Sequence, residues 1–280
     1  MRSDLYQWEF LVEGVYLIVE SLEITKRLIF RPLNGPSVPA PRTSQSQVIA
    51  YVAVPGDRPR DAVEGRRYLD FFLLLYSFVT GKRVVMWEQI GSPLKKIESL
   101  GALKISLPEY QEIESNIKKP HPLMDKGIVD TRELFLKLEP DRETIMDGHL
   151  GLALRFYYLA VSAAERRSRE EFIMHLSIAA EALVQTGEGK LTENIKRRIA
   201  ALIGNESDEA KTIAREIGEL YRVRGLVVHG HKPKIQLSQT KRMDSYVRRA
   251  VQNGLELRHL SKKDLAQWLD QNYRKLTGED

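Results

Sequence analysis

The chain of 280 residues contains no cysteine. That single absence excludes disulfides, thiolate metal sites, iron–sulfur clusters and a cysteine nucleophile. Long apolar runs are missing too. The longest, YLDFFLLLYSFV at residues 68–79, is interrupted by Asp70. It falls well short of the roughly 20 residues that cross a bilayer, so it reads as a buried helix and no membrane association is expected. The opening MRSDLYQWEF has acids where a secretory leader would need an apolar stretch, which makes the cytoplasm the expected location. No GxSxG, Walker A, GxGxxG or HExxH pattern occurs, and His121, His149 and His259 lack clustered acids at ligand spacing. Neither a metal nor a cofactor is expected.

What is present has the proportions of ordinary globular domains, 42% hydrophobic and 29% charged, so wholesale disorder is excluded and the length suggests two domains. The net charge of +5 is unevenly spread. Between residues 190 and 249 lysine and arginine outnumber acids by about two to one, with doublets at Arg197-Arg198, Lys241-Arg242 and Arg248-Arg249. This points to a polyanionic partner, with solvated helix faces as the plain alternative.

The first 60 residues favour strands. WEFLVEGVYLIVESLEI, KRLIFRPL and QVIAYVAV are rich in β-branched and aromatic residues, and a Pro/Ser-rich loop precedes the third. A helical pattern then runs from Asp61 to Phe78 and breaks at Gly81, before a candidate strand, RVVMWEQIG. Residues 100–130, with KKPHP, read as a connection. The expected organisation is an α+β domain at 1–125, a recognition or regulatory module able to hold a ligand or partner, followed by an all-α domain at 126–280. Within the latter, residues 150–164 and 171–185 are apolar on most faces and should form an antiparallel pair at the centre of a bundle. A third helix carries KRRIAALIG, and a fourth runs from about Ser207 to Val228 with acids in its first turn and Gly230 past its end. Residues 239–272 supply one or two more, with Tyr246, Leu257, Leu265 and Trp268 as core contacts. Trp8, Tyr51 and Trp87 read as packing residues rather than a binding platform.

The stretch YRVRGLVVHGH, residues 221–231, gathers Tyr221, Arg222, Arg224, His229 and His231 at the end of the fourth helix. At about 100° per residue, Arg224 and His229 lie about 140° apart, so one straight helix aims them away from each other. Two helix ends meeting across a two-fold axis can pair the histidine of one chain with the arginine of the other.

The block HLSIAAEALVQTGEGKLTENIKRRIAALIGNESDEAKTIAREIGELYRVRGLVVHG, residues 175–230, resembles the HEPN superfamily (higher eukaryotes and prokaryotes nucleotide-binding), specifically its Apea-like domains. The resemblance rests on the AEAL run, the KRRIAALIG helix and the tyrosine, arginine and HG of YRVRGLVVHG, and covers about residues 148–272. It implies a HEPN-type helical bundle that forms a homodimer, with two Arg-x4-6-His motifs making one composite site. Active members are metal-independent endoribonucleases of antiviral defence, toxin–antitoxin systems or RNA processing, and single-stranded RNA or tRNA is the implied substrate. By position Arg224 and His229, with four residues between them, match the motif. Arg222 with His229 and Arg224 with His231, each with six between, leave the spacing open. Tyr221, Arg222 and His231 are supporting residues, and Glu181 is either a group that orients Arg224 or half of a structural ion pair. Arg197, Arg198 and Lys232 are candidate nucleic-acid contacts.

The residue types suit the reaction. Histidine moves protons near neutral pH, and a permanently charged guanidinium stabilises charge building on phosphoryl oxygens. Gly225 departs from the family pattern, since active members often carry a polar residue directly after the arginine. The alternative expectation is a catalytically inactive dimer that binds nucleic acid or nucleotide, or serves in assembly.

Overall fold

The computed structural model describes residues 5–13, 15–16, 21–32, 47–55, 59–90, 96–97, 121–122, 126–186 and 190–279. The chain divides into two compact units, Met1–Pro140 and Asp141–Asp280.

In the first unit, β1 (Leu5–Glu13), β2 (Val15–Tyr16), β3 (Leu22–Thr25), β4 (Leu28–Pro32) and β5 (Gln47–Pro55) precede α1 (Pro59–Thr80). The helix is followed by β6 (Val85–Ile90), β7 (Lys96–Ile97), β8 (His121–Pro122) and α2 (Lys126–Leu138). The main sheet is antiparallel in the order β3-β4-β5-β1-β6, with β7 also on β1. β1 and β5 pair in unbroken register from Leu5↔Pro55 to Glu13↔Gln47. Ala50, Tyr51, Val52, Ala53 and Val54 are consecutive and all buried, so β5 is covered on both faces at the centre of the sheet. Tyr51 is thus a packing residue; the side chains of Trp8 and Trp87 lie outside the described residues.

The apolar run of residues 68–79 is part of α1, whose Tyr68, Leu69, Phe71, Phe72, Leu75 and Tyr76 are fully buried. α2 packs onto it through Phe135, whose ring centroid lies 5.1 Å from Tyr68 and 5.5 Å from both Phe71 and Phe72. Arg132 Nε also donates to the carbonyl of Ile24 at 2.8 Å. These contacts place the division after Pro140 rather than at the 125/126 boundary expected from sequence, and residues 126–130 are helix rather than connection. Most of the remaining expected connection lies outside the described residues.

The second unit is helical: α3 (Arg142–Asp147), α4 (His149–Glu165), α5 (Arg169–Val184), α6 (Leu191–Ile203), α7 (Ser207–Val228), α8 (Leu237–Glu256) and α9 (Lys262–Thr277). Ser168 and Ser261 cap α5 and α9 by accepting the amides of Glu171 and Asp264, and Gln236 with Gln239 makes a capping box at α8. α5 forms the centre of the bundle, touching α4, α6, α7, α8 and α9. Its Ile173, Leu176, Ala179, Ala180, Leu183 and Val184 are fully buried. Small residues there let neighbours come close, and α8 answers with Gly254, where an added Cβ would meet Leu183 Cδ1 at 2.8 Å. Trp268 departs from the expected core set at 42% exposed, because Leu265, Ala266, Leu269 and Tyr273 form the inward stripe of α9. Among the described residues no helix is long and apolar enough to cross a membrane.

Candidate functional site

The site is built on α7, whose buried residues Ala210, Ile213, Ala214, Ile217, Leu220, Tyr221 and Val223 define one face. At 3.6 residues per turn Arg224 falls in the middle of that face, not on its border. An arginine there needs a partner, and α5 supplies Glu181: Nη2 and Oε1 approach to 3.1 Å, with the side chains 24% and 20% exposed. The pair is close enough to attract but not aligned as a hydrogen bond. Glu181 Oε1 and Arg224 Nε are both buried without a hydrogen-bond partner among the described residues. Burial pushes the Glu181 carboxyl above its ordinary pKa, and the Arg224 charge pulls it back. One turn earlier on each helix, the fully buried Tyr221 donates its hydroxyl to the Ser177 carbonyl at 2.8 Å. Burial is also the main reason that phenol is held far above its usual range. Tyr221 is therefore an anchor between α5 and α7 that fixes the level at which Arg224 meets Glu181.

His229 caps the C-terminus of α7. Gly230 takes a left-handed φ of 79°, its amide bonds the Val227 carbonyl, and the His231 amide bonds the Leu226 carbonyl. This is a Schellman closure, which only glycine makes without strain. Beyond it the chain folds back so that the buried Ile235 packs with Ile173, Val223 and Val227, and Arg169 Nη1 holds the Ile235 carbonyl at 2.8 Å. His229, His231 and Lys232 stay exposed. Within one chain the helix therefore turns Arg224 inward and His229 outward, as the spacing predicts, and does not bring them together.

The basic doublets separate into engaged and open cations. Arg198 is buried and fully used: Nε and Nη2 bind Asp270 at 2.9 and 2.7 Å, and Nη1 donates to the Val184 carbonyl at 2.8 Å. It is a clamp between α6, α9 and the end of α5, and its expected nucleic-acid contact is corrected accordingly. Arg242 pairs with Glu216, Arg248 with Asp244, and Arg249 with Glu209. Arg197 is half-exposed, bridging Glu193 at 2.9 Å and Glu279 at 3.3 Å, with its guanidinium 5.6 Å from the Tyr273 ring centroid.

Arg222 points elsewhere than Arg224. It lines a cleft of about 580 Å³ between α6, α7 and α9, together with Lys196, Arg197, Lys211, Arg215 and Tyr273. Lys211 and Arg215 belong to no motif of the sequence named above. Their signal was the repeat Lys211, Arg215, Gly218, Arg222, Gly225, His229, whose alternating steps of four and three keep one face of a helix.

His175 has a buried Nδ1 without a partner among the described residues and stacks on Phe156 at 6.3 Å; desolvation lowers its pKa. No group of three or more potential metal ligands occurs among the described residues. Compared with protein families, curated proteins and solved structures, the chain matches none.

Proposed function

We propose that the second unit is a HEPN-type, metal-independent endoribonuclease that works as a homodimer, with Arg224 of one chain and His229 of the other at a shared site. The observation that carries this reading is the state of Arg224. It is a permanently charged group held at 3.1 Å from Glu181 while its Nε has no hydrogen-bond partner among the described residues, near the end of a helix that presents His229 to solvent. In the proposed reaction the ribose 2′-oxygen attacks the adjacent phosphorus. The new O2′–P bond forms as the P–O5′ bond breaks, a base takes the 2′-hydroxyl proton, and a proton reaches the departing 5′-oxygen. His229 is the proton-transfer group, and Arg224 bears on the phosphoryl oxygens as their negative charge grows. The products are a 2′,3′-cyclic phosphate and a 5′-hydroxyl. A role in antiviral defence belongs to this proposal through the family resemblance alone.

A non-catalytic reading, a dimer that binds nucleic acid or nucleotide or serves in assembly, is favoured by one observation: Arg224 occupies the middle of the buried face of α7, where an ion pair with Glu181 is sufficient reason for its presence. The two readings separate on labelled single-stranded RNA and tRNA incubated with the purified protein in EDTA. The ribonuclease reading expects cleavage to cyclic-phosphate ends, lost in His229→Ala and in Arg224→Ala. Mixing the two inactive variants should restore part of the activity, because one pairing in each mixed dimer is intact. Cleavage that survives both substitutions, or a chain that sediments strictly as a monomer, overturns the shared site.

A further inference from the structure

The mutual placement of cations and glycines on α7 points to a use for the face turned away from Arg224. Lys211, Arg215, Gly218, Arg222, Gly225 and His229 fall within about 40° of one line along the helix, and the line is about 27 Å long. Its first four members line the cleft between α6, α7 and α9. Five cations face three carboxylates there. Glu193 is already held by Lys196 and Arg197, and Glu279 by Arg197. Lys211, Arg215 and Arg222 are exposed and have no carboxylate within ion-pair distance among the described residues. Among the doublets, Arg198, Arg242, Arg248 and Arg249 are held in ion pairs, whereas Lys211, Arg215 and Arg222 form a row of open cations along one face of α7.

The glycines complete the surface. Among the described residues an added Cβ at Gly218 would touch Lys196 Cδ alone, at 3.7 Å, and at Gly225 it would meet nothing within 4 Å. Neither is needed for packing or for a left-handed turn, yet each weakens a helix by about 1 kcal/mol relative to alanine. Their effect is a bare floor between successive charges, where a strand can lie close to the backbone of the helix.

We infer that the α7 face from Lys211 to Arg222 binds the phosphodiester backbone of single-stranded RNA and leads it along the helix to His229. The inference rests on RNA being the ligand in the proposed function. It gives Arg222 a phosphate-positioning role, and Gly225 is the open step before the histidine.

The test uses the full chain and a fluorescent single-stranded oligoribonucleotide carrying 2′-O-methyl groups, which lacks the attacking hydroxyl. The probe is followed by anisotropy over a salt series. Lys211→Gln combined with Arg215→Gln should weaken binding at least tenfold near 0.1 M salt and reduce the salt slope by about 1.4, the single-strand value for two lost phosphate contacts. Lys241→Gln, an exposed charge on α8, should stay within twofold of the parent. With cleavable RNA the double variant should raise KM and leave kcat unchanged. Unchanged binding in the double variant, with cleavage intact in the parent, overturns the track and leaves the ribonuclease reading standing. Binding that depends on α7 without any cleavage supports the track and removes the ribonuclease reading. A parent that binds no RNA overturns the track, as does inorganic polyphosphate competing equally per phosphate, which would assign the cleft to a different polyanion.

Discussion

Arg224 and Glu181 face each other at 3.1 Å across the α5–α7 contact, on a side of α7 turned about 140° from His229. Removing the cation leaves a mostly buried carboxylate, so Arg224→Ala should cost about 1 to 2 kcal/mol near pH 7. The sign with pH follows from Glu181. Its folded pKa is raised, so the folded state holds the proton more tightly than the unfolded chain does. Stability therefore falls as pH rises from 4.5 through the raised value. Loss of Arg224 widens that window upward. Urea midpoints of parent and variant should converge as the buffer is taken down towards pH 4.5; a deficit that is equal at both ends would show that Glu181 ionisation is not its cause.

Arg198 answers to a different measurement from its neighbour Arg197. Lysine keeps the charge at 198 but cannot reproduce the two-point contact with Asp270 together with the bond to the Val184 carbonyl. Arg198→Lys should lower stability by about 2 to 3 kcal/mol in thermal or urea unfolding, and under the proposed function the folded protein should keep its affinity for RNA. A loss of affinity without a loss of stability would return Arg198 to the binding surface.

His175 should give the second unit a dependence on acidity. Its pKa lies below 6.5 through desolvation, opposed by Glu171 and assisted by Arg166. The folded state thus binds fewer protons than the unfolded chain in the interval below 6.5, and stability is lost as pH falls through it. His175→Leu should flatten that part of the stability profile, which chemical unfolding at several pH values will show.

Two glycines should respond in opposite ways to alanine. At Gly151 an added Cβ would sit 2.5 Å from the Ile145 carbonyl oxygen and 2.6 Å from that of Met146, backbone atoms that cannot step aside. Gly151→Ala is expected to cost about 2 kcal/mol or more. Gly225→Ala meets nothing within 4 Å among the described residues and should gain up to about 1 kcal/mol in helix propensity. If Gly225→Ala were destabilising, the open floor on α7 would have to be given up.

The sequence showed more of the helices than of their partners. α7 was legible from end to end, because acids in its first turn and Gly230 after its last mark both limits locally. The division between units was not, because α2 belongs with α1 through Phe135, and a pattern of apolar residues does not say which other helix it will meet. Arg198 looked like Arg197 for a related reason. Neighbours on a helix point about 100° apart, so a doublet on an amphipathic helix can have one member inside and one outside. Glu181 was recognisable as a charge on an apolar helix that needed a cation, and the geometry supplies Arg224. The cleft on α7 was written as a four-three spacing, yet it becomes a site only when α6 and α9 wall it.

The divergence of Arg224 and His229 has a kinetic meaning under the proposed function. When neither chain holds both groups in reach of one phosphate, a solitary copy is inert, and turnover requires an encounter. Below the dissociation constant of the pair, the rate should rise with the square of the amount of protein. Doubling expression would then quadruple the damage to RNA, and the turn between two residues of one helix would set a dose threshold for the cell.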